Sequence, residues 1–365
     1  MKYLDEFREA KRAKQLVEEI RKTVTRRWVL MDVCGGQTHS LLRHGIEEAL
    51  EDYIELIHGP GCPVCVTPIE AIDLAQRLSM RPEVIVTSFG DMLRVPGSQD
   101  SLLGVRSRGG QIRSIYSPID AIKLAQELPD REIVFLAVGF ETTAPATALA
   151  VLQADRLGLK NFSLLVAHVR VLPAMEGLML LPDNRVQGFL GAGHVCTITG
   201  LDAYKPFVKR FRVPVVVTGF EPIDLLYGIR EAVRQLERGT SELVNCYSRS
   251  VQPAGNLSAM KAVDMVYRVV DMPWRGLGVI KEGGFALNDR FQYMDTQRRF
   301  VDAIELPIHV ETRCRSADIL TGRIKPTACS EFGKTCCPEQ PLGAPMVSSE
   351  GACAAYFRYQ TRILT

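Results

Sequence analysis

The cysteines of this chain are grouped where metal or redox chemistry would need them. Near the end stand Cys314-x14-Cys329-x6-Cys336-x16-Cys353, in a stretch rich in turn formers (Gly322, Pro326, Gly333, Pro338, Pro341, Gly343, Pro345) and poor in apolar periodicity. Little core can hold such a stretch without a cross-link. Four thiolates suit an iron-sulfur cluster or structural zinc. A disulfide-stapled tail is disfavoured, because nothing else in the chain looks secreted.

Two further groups lie near the start. In Met31-Asp-Val-Cys-Gly-Gly-Gln-Thr-His39 a thiol sits at a strand-to-helix turn, where unpaired backbone N–H groups and the helix dipole favour thiolate. Cys34 is therefore a candidate nucleophile or metal ligand. His39 is a base, hydrogen-bond donor or second ligand on this reading, or else a satisfied structural histidine. In His58-Gly-Pro-Gly-Cys62-Pro-Val-Cys65 the Cys-x-x-Cys pair is either a dithiol/disulfide couple or half of a metal site. Zinc held by Cys34, Cys62, Cys65 and a histidine is a further arrangement of the same residues.

Gly139-Phe-Glu-Thr-Thr-Ala-Pro145 offers Glu141, Thr142 and Thr143 for orienting a small polar or anionic ligand. It is no P-loop, since no Gly-Lys-Ser/Thr follows. His194 is framed by glycines, and Cys196 and Cys246, without partners at ligand spacing, read as buried hydrophobes.

The elements that must position these groups alternate. A helical pattern over about residues 4 to 25 precedes a short strand, Trp28 to Val33, that runs into the Cys34 turn. Val84–Thr87, Ile133–Val138, Ser163–Ala167 and Val215–Thr218 read as fully buried parallel strands, giving an α/β fold. Pro68–Leu78 is echoed at Pro118–Leu128, an offset of 50, and the following strands keep register. Three strands then end in glycine, phenylalanine and a carboxylate, which makes Asp91, Glu141 and Glu221 candidate site residues or helix caps.

Composition removes several function classes. With 44 basic and 42 acidic residues the formal charge of +2 gives no case for nucleic acid or anionic membrane as partner. No run of 18 apolar residues occurs, and the charged start lacks a signal-peptide core, so a reducing cytoplasm is expected. Ten cysteines there mean metals or redox work.

The four motifs together, in this order and with Met346-Val-Ser-Ser-Glu-Gly-Ala-Cys353 at the end, resemble the HypD family of nickel-iron hydrogenase maturation proteins over nearly the whole chain. The resemblance implies two related parallel-sheet α/β domains facing a cleft, plus a smaller C-terminal iron-sulfur domain. The boundaries expected are an N-terminal helix, 1–26, packing with the C-terminal domain; a first α/β domain, 27–128; a second, 129–240; and the C-terminal domain, 241–365. It implies a 4Fe-4S cluster on Cys314, Cys329, Cys336 and Cys353. It also implies a complex with HypC on which the Fe(CN)2CO group is assembled, HypE delivering the cyanide that HypF makes. Cys34 would hold the iron together with the N-terminal cysteine of HypC, with Cys62 and Cys65 as the thiol pair of the same cleft. Cys337 stands where relatives often have Thr or Asn, which leaves Cys336 or Cys337 as fourth ligand, and the x6 and x16 intervals favour Cys336.

On this reading electrons pass from the cluster to Cys62/Cys65 and on to the iron. Backbone N–H groups of Gly35 and Gly36 would point at the cyanide nitrogens, with Asp91 and His194 completing the site. A passive iron-binding platform with a structural cluster, or a stand-alone thiol-disulfide oxidoreductase, are the alternatives. Apolar residues near Gly97 to Gly104 are candidate contacts for HypC.

Overall fold

The computed structural model describes residues 7–304 and 312–359. Two separate parallel sheets carry it. β1 (Trp28–Asp32) and β2 (Ile54–His58) open the first. The chain then builds the whole of the second, from β3 (Val84–Ser88), β4 (Ile112–Ser114), β5 (Glu132–Gly139) and β6 (Phe162–His168). It returns to the first for β7 (Gly188–Ala192), β8 (Val215–Thr218) and β9 (Leu243–Asn245). The strand orders are β2-β1-β7-β8-β9 and β4-β3-β5-β6, parallel throughout. Helices cover both sheets, which is why the central strands are buried along their whole length. Among the described residues no helix is long and apolar enough to cross a membrane.

The α/β class and both parallel sheets are as the sequence predicts; the grouping of strands differs. A division at 128/129 cuts the second sheet, because β3, which carries β4 on its other side, pairs with β5, and it separates β1 from its neighbour β7. Buried parallel strands look alike in sequence whichever neighbour they take, so the pattern could not show that one sheet is inserted into the other. The echo at offset 50 has the same lesson. Its two strands, β3 and β5, are neighbours in one sheet, so the repeat is a doubled αβ unit and not a pair of domains.

The N-terminal helix also takes another place. Helix Ala10–Thr23 buries Leu16 and Ile20 against Leu225, Leu226 and Ile229 of helix Pro222–Arg238, over the first sheet. Each such aliphatic side chain contributes about 2 kcal/mol, and ion pairs Arg8–Glu221 and Arg230–Glu19 flank them. Residues beyond 240 likewise serve the sheets first. β9 closes an edge, while helix Leu257–Val266 and the antiparallel hairpin of β10 (Tyr267–Trp274) and β11 (Gly278–Leu287) bury Val263, Val266, Tyr267 and Phe285 against the second sheet. Only 312–359 forms the cysteine-bearing segment, around a small cluster of Ile319, Cys336, Met346, Ala352 and Cys353. Val95, Leu102 and Val105 are also core residues of the second sheet, which leaves Leu103 as the exposed apolar side chain near Gly97–Gly104.

The carboxyl ends of the two sheets meet. Val33, Cys34 and Val66 from one and Phe140, Val169 and Val171 from the other share a single apolar cluster.

Candidate functional site

Cys34 follows β1 and is the N-cap of helix Gly35–Arg43, in extended conformation. Its neighbour in the sheet, β7, runs into helix Gly193–Thr199, which brings His194 to it. Cys34 Sγ lies 3.6 Å from Nδ1 and 3.8 Å from Nε2 of His194, whose ring stacks on Phe220 at 5.2 Å. Burial pushes His194 down to about 4, so the ring is neutral and offers one N–H and one lone pair. Burial also drives the Cys34 thiol far up, outweighing the N–H groups of Gln37 and Gly36 that face its sulfur, with Glu350 and Asp32 adding to the rise. The thiolate expected from the helix N-terminus is thus not favoured by the protein alone. A bound cation reverses that balance, since a coordinating thiol is deprotonated outright.

The dithiol loop crosses the same backbone. Cys62 and Cys65, both buried, are joined as a disulfide with Cα atoms 5.3 Å apart. A Cβ on Gly61 would fall 2.2 Å from the Cys34 nitrogen, and Gly35 N–H donates to Gly61 O at 2.9 Å. Gly35 is tight on its other side too, where a Cβ would sit 2.3 Å from the carbonyl oxygen of Glu350. Glycine is required at both positions because three segments touch there. The Gly35 N–H is consequently spent within the protein, whereas that of Gly36 faces the Cys34 sulfur.

His39 is turned away from Cys34. Its Nδ1–H donates to Ser349 O at 3.3 Å, and Nε2 accepts from the Tyr359 hydroxyl at 3.0 Å. It ties helix Gly35–Arg43 to the C-terminal segment, and His194 takes the place beside the thiol.

The second sheet contributes less than its motif suggests. Glu141 is buried and accepts the N–H of Val171 at 3.1 Å, capping helix Val171–Met179. Burial raises its carboxyl to about 7, and its charge is felt by Cys196 and Tyr204 across the sheet boundary. Thr143 turns back to Phe140 O at 3.2 Å, in space that a Cβ on Gly139 would fill. Among the described residues no hydrogen bond joins Glu141, Thr142 or Thr143 to Cys34 or the disulfide. Asp91 is exposed, and its charge together with burial raises the carboxyl of Glu350. Glu221 caps helix Pro222–Arg238 and pairs with Arg8.

In the C-terminal segment the four expected thiols gather. Cys353, buried, is raised well above the usual thiol range by burial and then by Cys314, Cys336 and Cys329. Cys336 Sγ accepts the N–H of Leu342 at 3.4 Å and faces that of Gly343, and Gly343 itself lies against Cys314 Sγ. Backbone N–H groups facing Cys336 and four thiols in one segment, three of which are felt electrostatically by Cys353, are a donor set of the kind an iron-sulfur cluster takes. Among the described residues no group of three or more His, Cys, Asp or Glu side chains stands at metal-holding distance. Cys337 turns into a tight exchange with Gln340 and stands outside the group.

Sequence reasoning missed Asp32, Glu47, Tyr356 and Lys325, which surround His58. His58 Nδ1–H donates to Asp32 at 2.5 Å and Nε2–H to Glu47 at 3.2 Å, while Tyr356 and Lys325 both reach the other Glu47 oxygen at 2.6 Å. Burial alone would pull His58 down, yet Asp32 and Glu47 hold it up at about 10. Burial opposes ionisation of Glu47, but His58 and Lys325 hold it down at about 2. Glu350 was also missed as a site residue, although it stands in the terminal Met346–Cys353 motif.

Comparison with known proteins agrees with this assembly of motifs. The family model "HypD: Hydrogenase formation hypA family" matches residues 11–360. The chain is 46% identical over 369 residues to "Hydrogenase maturation factor HypD" of Azotobacter vinelandii, covering 98% of this chain and 97% of that protein. It is 43% identical over 368 residues to the protein of the same name from Escherichia coli strain K12, covering 99% and 98%. A Rhodobacter capsulatus relative, also so named, is 42% identical over 370 residues, with 98% of each covered. The chain belongs to the HypD family of hydrogenase maturation factors.

Proposed function

We propose that this protein, with HypC, is the scaffold on which the Fe(CN)2CO group of the hydrogenase is assembled, with cyanide delivered by HypE from HypF. The observation that carries the reading is the convergence of Cys34, the disulfide loop and the Glu350 segment on the backbone of Gly35 and Gly61. Cys34 takes the iron as cargo and loses its proton on doing so, and Glu350, made more basic by burial and Asp91, is the nearby acceptor. His194 stays neutral, with its lone pair for iron or its N–H for a cyanide nitrogen. The N–H groups of Gly36 and Gln37 stabilise the sulfur's charge.

Reduction of Cys62–Cys65 breaks the S–S bond and takes up two electrons and two protons, and reoxidation returns them, so the pair can exchange electrons beside the iron. Cys314, Cys329, Cys336 and Cys353 would hold a 4Fe-4S cluster, which when bound supplies single electrons. Cys34, Cys62 and Cys65 are buried, which restricts the iron chemistry to a site that excludes water, with a cytoplasmic setting keeping the thiols reducible.

Infrared spectroscopy of anaerobic protein co-expressed with HypC tests the scaffold role. Cyanide and carbonyl stretching bands should be present in wild type and lost in Cys34→Ala. Their absence from both samples, with all partners supplied, would overturn it. Cys62→Ser with Cys65→Ser should keep cluster absorbance and lose the bands; unchanged bands favour the passive platform.

A further inference from the structure

The group around His58 carries more charge than a fold needs. Asp32, Glu47, His58 and Tyr356 are all buried, and Lys325 closes the group from its edge. Thr38 donates to the second Asp32 oxygen at 2.6 Å, and the two carboxylates balance the imidazolium and the ammonium. Burying ions is costly, and apolar side chains of like volume often hold a fold as well or better. What the charges add is directional specificity between segments.

The members are placed where that specificity counts. Asp32 is two residues before Cys34, His58 four before Cys62, Lys325 four before Cys329 and Tyr356 three after Cys353. Glu47, from the short helix Ile46–Leu50, receives His58, Tyr356 and Lys325 together. The Cys62/Cys65 segment and the C-terminal segment are thus tied at one carboxylate, and Asp32 joins the Cys34 segment to them through His58. The C-terminal segment depends on the tie, for its own apolar cluster is small.

We propose that Glu47, with His58, Tyr356 and Lys325, is a positioning clamp that sets the four-thiol segment against the Cys62/Cys65 loop and Cys34. The proposal rests on the scaffold reading above for its purpose, but not for its geometry. None of the four residues touches iron or exchanges electrons. Their loss loosens the segment and slows electron passage across the gap, while each separate site stays chemically intact.

Tyr356→Phe removes one hydroxyl, and Glu47→Gln keeps the shape while discharging the centre. In the metal-free chain, hydrogen exchange of residues 352–359 and 325–329 should speed up about tenfold, the equivalent of one charge-assisted hydrogen bond. β1 should exchange as before. In the cluster-loaded chain, thiol labelling follows opening of Cys62–Cys65. Reduction by a one-electron viologen should slow about tenfold in Tyr356→Phe, with reduction by dithiothreitol unchanged.

Unchanged exchange in both variants would overturn the clamp, as would wild-type viologen rates in a variant whose exchange had quickened. If Glu47→Gln fails to fold, Tyr356→Phe decides alone. Should viologen open no disulfide even in wild type, the electron-passing part of the scaffold reading falls, and the exchange data still decide the clamp. Restored protection and rate in Lys325→Arg, set against their loss in Lys325→Met, would support a charge-dependent tie.

Discussion

The carboxyl ends of the two sheets are built on the same local sequence and do different work. Strand, glycine, phenylalanine and carboxylate occur at Phe89–Asp91, Gly139–Glu141 and Gly219–Glu221 in both sheets. In the second sheet Glu141 caps a helix, and in the first Glu221 caps another. The groups proposed to carry the chemistry, Cys34, His194 and the disulfide loop, instead follow β1, β7 and β2 of the first sheet, adjacent strands whose turns touch. A carboxylate after a buried strand is therefore a poor pointer to a site. Close approach of several backbones, marked by glycines that no other residue could replace, is the better one.

Glycine substitution breaks the comparison most sharply. An added methyl at Gly61 meets the Cys34 backbone, which cannot move without displacing the thiol, whereas at Gly139 it meets the side chain of Thr143, whose hydroxyl can rotate away and whose Cβ need give by only a few tenths of an ångström. Gly61→Ala should lose about 3 kcal/mol in urea unfolding and abolish the cyanide bands of the HypC co-complex. Gly139→Ala should cost about 1 kcal/mol and keep them. Equal loss of the bands in both would place the second sheet's motif in the chemistry.

The two ends also differ in how stability follows pH. Glu141 has its carboxyl raised from 4.5 to about 7 in the fold, so its contribution is full below pH 4.5 and is lost as pH rises through 7. The loss is of the order of 3 kcal/mol at most. Glu141→Gln should flatten this slope and be the more stable chain at pH 8, as measured by urea unfolding at pH 5 and 8. The first sheet has the opposite carboxylate. Glu47 is lowered to about 2, so its stabilisation is present above pH 4.5 and lost as pH falls through 2. His58, raised to about 10, contributes fully below pH 6.5 and loses its part as pH rises through 10. Glu47→Gln should therefore remove stability at neutral pH, where Glu141→Gln leaves it or adds to it.

Much of this was legible in the sequence. Apolar runs mark β1, β3, β5, β6 and β8 as buried strands, and spacing marks the cysteine motifs. What escaped was pairing. β4 and β9 span three residues each and β7 carries glycines, and nothing local says that β7 lies beside β1. For the same reason the sequence offers both His39 and His194 as site residues without showing that His194, and not His39, stands beside the thiol, which it reaches only through that pairing. Glu47 and Tyr356 gave no signal, since a lone Glu and a lone Tyr on amphipathic helices read as surface and core.

The smallest effect sharpens the point where spacing and structure agree. Cys336 and Cys337 are adjacent, and the sequence intervals alone only favour the first. The backbone N–H groups of Leu342 and Gly343 face Cys336, and its thiol is influenced by Cys314 and Cys329, while Cys337 is engaged in a turn with Gln340. Cys336→Ser should then lose the visible absorbance of the reconstituted cluster. Cys337→Ser should keep that absorbance and shift stability by less than about 0.5 kcal/mol, as for a half-exposed side chain away from special features. Loss of absorbance in Cys337→Ser would mean that the segment rearranges on binding iron by one residue along the chain, moving the N–H donors of residues 342 and 343 away from the ligand they now face.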